Sequence, residues 1–252
     1  MPHEFALYTP ELSSACLHKK SGDRITIADE QLWHRLKHVL RTEPGNPLLL
    51  FDRTTALEAR LQAYEKKETL QFELISLIKK SILAPTIIVM LPLLKREALA
   101  EAFYSCVELG ANQVQLVTTA SSQQTWSTER DMSRCQKIMV AAAEQSKQFM
   151  LPIIKSPCGL ADTLQQLPKA SLRIHCDPQG MSLWKVLEQI EHEKPETIVL
   201  SFGPEADLTD DERELLYQNQ FVACALTPTV LRATQALVVA LGALRSGSRI
   251  VT

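Results

Sequence analysis

From about residue 84 onward, short apolar runs alternate with longer stretches in which apolar residues recur every three or four positions. This alternation restricts the fold more than any other feature of the chain. Buried strands that each lead into an amphipathic helix make strand–helix units. Such units form a mostly parallel sheet whose two faces the helices cover. The strand runs fall at residues 86–91, 114–117, 172–176, 197–202 and 221–226, and helices are predicted at 96–109, 129–147, 183–192, 209–218 and 227–244. In the first helix Ala98, Leu99, Ala102, Phe103, Cys106 and Val107 share a face, and Gly110 sits where a left-handed residue stops a helix. Thr209-Asp210-Asp211-Glu212 reads as a capping box. Thr227 is a candidate cap for the last helix, with Pro228 at its first position.

The first 75 or so residues have a different rhythm. Strand-like runs at 24–27, 47–52, 57–63 and 69–77 are separated by Ser21-Gly22-Asp23, Glu43-Pro44-Gly45-Asn46 and Lys66-Lys67-Glu68. One helix, near 29–40, has Asp29 as its cap. Several short strands with one helix suggest a small β-barrel. The chain is therefore expected to form two domains, 1–78 and 79–252, with a linker near 79–85.

Composition narrows the partners. No apolar run approaches the roughly 20 residues of a membrane helix, and no basic start with an apolar stretch marks a leader. The six cysteines are scattered and form no CxxC pair, which suits free buried thiols in a reducing cytoplasm. His34 and His38 share a helix face, but no third ligand is near, so no metal is expected. The net charge of −2 does not announce a polyanion partner. Locally, Gln31-Leu32-Trp33-His34-Arg35-Leu36-Lys37-His38-Val39-Leu40-Arg41 carries three strong bases and no acid, and it forms either a phosphate-binding patch or a solvated face.

In open parallel sheets, ligands bind beyond the carboxyl ends of the strands. Three such ends are rich in turn residues: His175-Cys176-Asp177-Pro178-Gln179-Gly180, Ser201-Phe202-Gly203-Pro204-Glu205 and Leu226-Thr227-Pro228-Thr229-Val230-Leu231-Arg232. They are either ligand loops or plain strand-to-helix turns. The eight glycines form no GxGxxG and no GxxxxGK[ST], and GxSxG is absent. A Rossmann dinucleotide site, a P-loop ATPase and an α/β-hydrolase are disfavoured accordingly.

At these loops the chain resembles the ribosomal RNA small-subunit methyltransferase E family of the SPOUT superfamily. Five segments carry the resemblance in order: His34–Arg41, Val107-Glu108-Leu109-Gly110, Ala142-Ala143-Glu144-Gln145-Ser146 with Pro152, Phe202-Gly203-Pro204-Glu205, and Val230-Leu231-Arg232 with Ala236. The resemblance implies a PUA-like N-terminal barrel and a trefoil-knotted α/β domain. It also implies a cytoplasmic homodimer with active sites formed between subunits, and S-adenosylmethionine as cofactor. The implied reaction is methylation of uridine N3 in 16S rRNA of the small ribosomal subunit. By position, cofactor contacts fall on Leu200, Phe202, Gly203, Glu205, Leu226 and Leu231. Arg232 falls on the target base or its phosphate, and Arg35, Lys37, Arg41 and Lys147 fall on RNA.

The chain departs from the family at polar positions. Gly203-Pro204-Glu205-Ala206-Asp207 replaces GPEGG, and Arg232-Ala233-Thr234-Gln235-Ala236 replaces RTETA. Gln148 and Met150 replace bases after Glu144-Gln145, Ala120-Ser121-Ser122 replaces an ERS-like segment, and His3 replaces an arginine. Two further readings follow from these changes. One is a catalytically weakened knotted dimer that binds RNA or the ribosome. The other is a SPOUT methyltransferase with another RNA target.

Overall fold

The structure, a computed structural model, describes residues 5–66, 68–80, 82–122, 126–247 and 249–251. His3 lies outside them. The chain divides into two compact units, Met1–Ser81 with Ala143–Met150, and Ile82–Ala142 with Leu151–Val251.

The first unit holds β1 (Ala6–Tyr8), α1 (Leu12–Ala15), β2 (Arg24–Ala28), α2 (Glu30–His34), β3 (Pro47–Phe51), β4 (Ala56–Tyr64) and β5 (Thr69–Leu77). Its sheet runs in the order β1-β3-β4-β5-β2. Strand alternation fixes the register. Ile25 and Ile27 lie opposite Phe72 and Leu70, and all four are buried. Each such side chain contributes on the order of 1.5–3 kcal/mol on burial. Asp29 caps α2 as its position predicts, accepting from the amide of Leu32 at 2.9 Å. The helix does not continue as α-helix to residue 40. From Arg35 to Val39 it widens into a π-helical turn.

The second unit begins with β6 (Ile82–Ala84), β7 (Thr86–Pro92), α3 (Arg96–Glu108), β8 (Gln113–Thr118) and α4 (Thr128–Ser146), whose last residues belong to the first unit. It continues with β9 (Ile153–Gly159), α5 (Leu160–Gln165), β10 (Leu172–Ser182), α6 (Leu183–Glu193), β11 (Thr197–Ser201), α7 (Asp210–Gln218), β12 (Phe221–Ala225), α8 (Ala233–Ser246) and β13 (Arg249–Val251). The six-stranded sheet runs β12-β10-β11-β7-β8-β9, and every neighbour is parallel. Central β7 is buried at every position from Ile87 to Pro92, which is why its sequence shows no polar alternation. The α/β class with a parallel sheet agrees with the sequence pattern. The stretch near residues 79–85 is not only a linker, since β6 pairs antiparallel with β13.

The last helix corrects the sequence expectation. It begins at Ala233, not beside Thr227 and Pro228. The Thr227 hydroxyl donates to the carbonyl of Thr229 at 2.7 Å, so it is spent on a turn and is not available to cap a helix. Residues 227–232 remain a loop. The far end of α8 is anchored by Arg245, whose guanidinium donates to the carbonyls of Gly110 and Pro85 and to Asn112 Oδ1 at 2.6–2.7 Å.

Candidate active site

The strand order reverses about β7, which sends β8 and β9 to one side and β11 and β10 to the other. The crevice at such a switch point is where open α/β sheets hold ligands. Here the loops that leave the strands are tied together by side chain to backbone bonds. Glu205 Oε1 accepts from the amide of Lys95 at 3.0 Å, linking the loop after β11 to the loop after β7. Glu212 accepts from the amide of Ala120 at 2.7 Å while completing the predicted capping box with Thr209. Ser121 Oγ donates to the carbonyl of Asp207 at 3.2 Å.

Asp207 stands where the resemblance to the GPEGG motif would have a glycine. Its φ is +64°, in the left-handed region, where aspartate is among the few side chains that are tolerated. Its Oδ1 accepts from the amide of Leu208 at 2.8 Å, and Arg213 pairs with Oδ2 at 2.6 Å. The charge added at this position therefore has its own counter-ion.

A cleft of about 50 Å³ opens between the register shift within β10, at Cys176–Met181, and the loop after β12, lined by Cys176, Asp177, Pro178, Cys224, Leu226, Thr227, Thr229, Leu231 and Ala236. The amides of Thr229, Val230 and Leu231 donate to no backbone acceptor among the described residues. A larger cavity of about 570 Å³ shares Cys176, Asp177 and Pro178 with the cleft and extends to Asp207, Arg213 and Tyr217. Gly180 makes this packing possible. A Cβ there would overlap the backbone of Ala223 and Cys224 in β12.

Of the residues expected to hold the cofactor, the structure brings Leu226 and Leu231 into this cleft. Leu200 is buried within β11, and Phe202 lines a separate void of about 10 Å³ with Met90 and Leu208. Gly203 and Glu205 lie in the loop held by Lys95. Arg232 is exposed at the N-cap position of α8, and its guanidinium makes no ion pair among the described residues. The expected set omitted Cys176, Asp177 and Pro178, although the turn after residue 176 carried the signal.

His175 is marked by the sequence only as part of the 175–180 turn, with no role of its own. It is 2% exposed and lines the larger cavity, and its Nδ1 has no hydrogen-bond partner. Burial holds its pKa below the ordinary histidine value, against the opposing pull of Asp177 and Asp207. The neutral ring is thus favoured. Burial also pushes up the thiols of Cys176 and Cys224, the latter to about 11, so neither is a poised nucleophile.

The bases expected to meet RNA lie in the first unit. Arg35 forms a bidentate pair with Glu144, at 2.8 and 2.7 Å. Lys37 Nζ stands 4.3 Å above the centre of the Trp33 ring. Arg41 and Lys147 are exposed. No cluster of three metal-ligating side chains occurs among the described residues, and none of their helices is long and apolar enough to cross a membrane.

A parallel sheet with helices between its strands and a cleft at its carboxyl edge defines an α/β domain with a candidate ligand site. Residues 83–245 match the family described as RNA methyltransferase domain, and the chain belongs to that family. It is 27% identical to the ribosomal RNA small subunit methyltransferase E of Synechocystis over 92% of this chain and 82% of that one. It is 26% identical to the protein of the same name from Rickettsia conorii, over 89% and 90%. The fold matches the Neisseria gonorrhoeae ribosomal RNA small subunit methyltransferase E bound to S-adenosyl methionine, with a TM-score of 0.82, 23% identity and coverage of 97% and 98%. A Legionella pneumophila methyltransferase in complex with the same cofactor gives a TM-score of 0.81 at 21% identity, with coverage of 98% and 99%.

Proposed function

We propose that this chain uses S-adenosylmethionine to methylate N3 of a uridine in 16S rRNA of the small ribosomal subunit. The cleft between the irregular middle of β10 and the loop after β12 carries the reading, together with two relatives of that name that span most of both chains. The residues fit an adenosyl group. Leu226, Leu231, Cys224 and Ala236 give it apolar walls, and the loop at 229–231 offers unpaired amides. Leu200, Phe202, Gly203 and Glu205, on β11 and the loop after it, are proposed as further cofactor contacts. When bound, the cofactor supplies an electrophilic methyl group.

The finer architecture belongs to the same proposal. Residues 1–78 form a PUA-like RNA-binding barrel, and 79–252 form a SPOUT domain with a trefoil knot. The order β12-β10-β11, in which the later β11 lies inside β10 and the still later β12 outside it, supports such a path. The protein acts in the cytoplasm as a homodimer. Arg35, Lys37, Arg41 and Lys147 meet RNA phosphates, with Arg35 exchanging its partner Glu144 for one of them.

The chain's own residues supply the chemistry as follows. The N3–H of uridine is a weak acid, so transfer needs the proton lost or the developing charge stabilised. The guanidinium of Arg232, exposed and without an ion pair among the described residues, favours the anionic base once bound RNA covers it and excludes water. The target base must first leave its stack. The pairing of Asp207 with Arg213 leaves the charge in the altered GPE loop compensated, which favours a working enzyme over a binding module.

Labelled methyl transfer to small subunits from a strain lacking the modification tests the proposal, with the product mapped by mass spectrometry. Methylation confined to tRNA, or no cofactor binding by calorimetry, overturns it. Arg232→Ala is expected to lower transfer at least 100-fold, in the range seen when an oxyanion-type donor is removed. A value within about twofold of the parent would remove Arg232 from this role.

A further inference from the structure

A second cleft, about 350 Å³ in volume, lies in the same unit, where α3 and the first turns of α4 face each other. Arg96, Arg130 and Arg134 line it together with Trp126 and the buried side chain of Leu99. Arg130 and Arg134 are four apart on α4 and share a face. Among the described residues none of the three guanidiniums makes an ion pair, although Arg134 is half-buried. The one carboxylate in the cleft, Asp131, is engaged by the amide of Ser127 at 2.8 Å. The indole N–H of Trp126 is buried without a hydrogen-bond partner. Three cations against one engaged acid, with an unsatisfied donor on an aromatic ring, make a site whose chemistry suits an anion.

The chemistry that satisfies this set is a phosphodiester beside an unstacked base. Guanidiniums take phosphate oxygens in a bidentate manner, and an aromatic ring stacks a base while its N–H donates to a base or phosphate oxygen. One chain link relates the cleft to the loops of the candidate active site. Lys95, whose amide is held by Glu205, immediately precedes Arg96. We propose that this cleft is an RNA docking site, which holds the backbone and one base of single-stranded RNA flanking the nucleotide to be modified. The inference rests on the reading of the substrate as RNA.

Fluorescence anisotropy of the full chain with a short single-stranded oligoribonucleotide, measured across a salt series, tests it. The Arg130→Gln/Arg134→Gln pair is expected to weaken binding on the order of tenfold. It should also flatten the slope of log affinity against log salt by about 1.4, at roughly 0.7 for each phosphate that is no longer neutralised. Trp126→Phe keeps an aromatic ring but removes the N–H donor, and it should abolish most of the tryptophan quenching that RNA produces. S-adenosylmethionine titration of the same variants should match the parent. Parental affinity and slope in the arginine pair overturn the inference, as does a parent protein that does not bind the oligoribonucleotide. Either result leaves the methyltransferase reading standing if the cofactor still binds. Conversely, a parent that binds RNA through these arginines but takes no cofactor refutes that reading and keeps the docking site. If circular dichroism shows that Arg134→Gln misfolds, Arg96→Gln/Arg130→Gln changes two exposed side chains and is held to the same thresholds.

Discussion

Replacing Gly180 by alanine adds one methyl group where two strands come closest. The new Cβ would meet the Ala223 carbonyl group and the Cys224 amide nitrogen well inside the 3.0 Å below which such atoms are not found. These obstacles are backbone, so no flexible side chain can swing away. Either β12 or the 177–181 segment must move by about 0.8 Å to open the nearest contact from 2.2 Å to 3.0 Å. Overpacking of this kind costs about 1–3 kcal/mol, and a rigid backbone obstacle places it near the upper end. For a chain of this size, about 3 kcal/mol lowers the melting temperature by roughly 6–12 °C. The same movement separates Cys176, Asp177 and Pro178 from Cys224 and Leu226, which are opposite walls of the small cleft. Calorimetric titration with S-adenosylmethionine should then show at least about tenfold weaker binding, since small misplacements of a binding wall are costly. Thermal melts read the first effect and the titration reads the second. A melting temperature within about 1 °C of the parent, with unchanged affinity, would refute the close approach on which this reasoning depends.

Other expectations can be checked with the same melts. His175 is buried with its pKa depressed, so the unfolded chain binds a proton more readily than the folded one. Stability should be fully present above the ordinary histidine value near 6.5 and decline as pH falls below it; His175→Phe should remove part of that decline in melts from pH 7.5 to 5. Asp207→Gly should melt within about 2 °C of the parent, whereas Asp207→Ala, which keeps the left-handed backbone without the Leu208 bond, should cost about 1–2 kcal/mol. Arg245→Met strands the carbonyls of Gly110 and Pro85 and the side chain of Asn112, and should cost about 3 kcal/mol or more by denaturant titration.

Local chemistry made parts of this fold readable in advance. The Thr209 capping box and the Asp29 cap depend on residues three apart, and both form as the sequence pattern suggests. Edge strand β9 was not readable. It is mostly unburied and contains Pro157, so it carries neither an apolar run nor an alternating one. The first turn of the last helix was misread because Thr227-Pro228 looks the same whether its hydroxyl caps a helix or closes a loop. At the site, the strand-end turns marked where ligands could bind, but not which side chains face each other. That depends on β10 lying between β11 and β12, a pairing between distant segments that no local pattern encodes. The burial of His175 was unreadable for the same reason, since only the assembled sheet produces it.

The side chain at position 207 also affects how the loop behaves before any ligand arrives. A glycine there would let the unfolded and unliganded loop wander through both halves of backbone space. Aspartate narrows that range, and its bonds to the Leu208 amide and Arg213 hold the turn in place. Much of the ordering that a glycine-rich loop undergoes on binding is thus completed during folding. Asp207 also lines the larger cavity, so a ligand entering there meets a wall already ordered, which lowers the entropic cost of its binding.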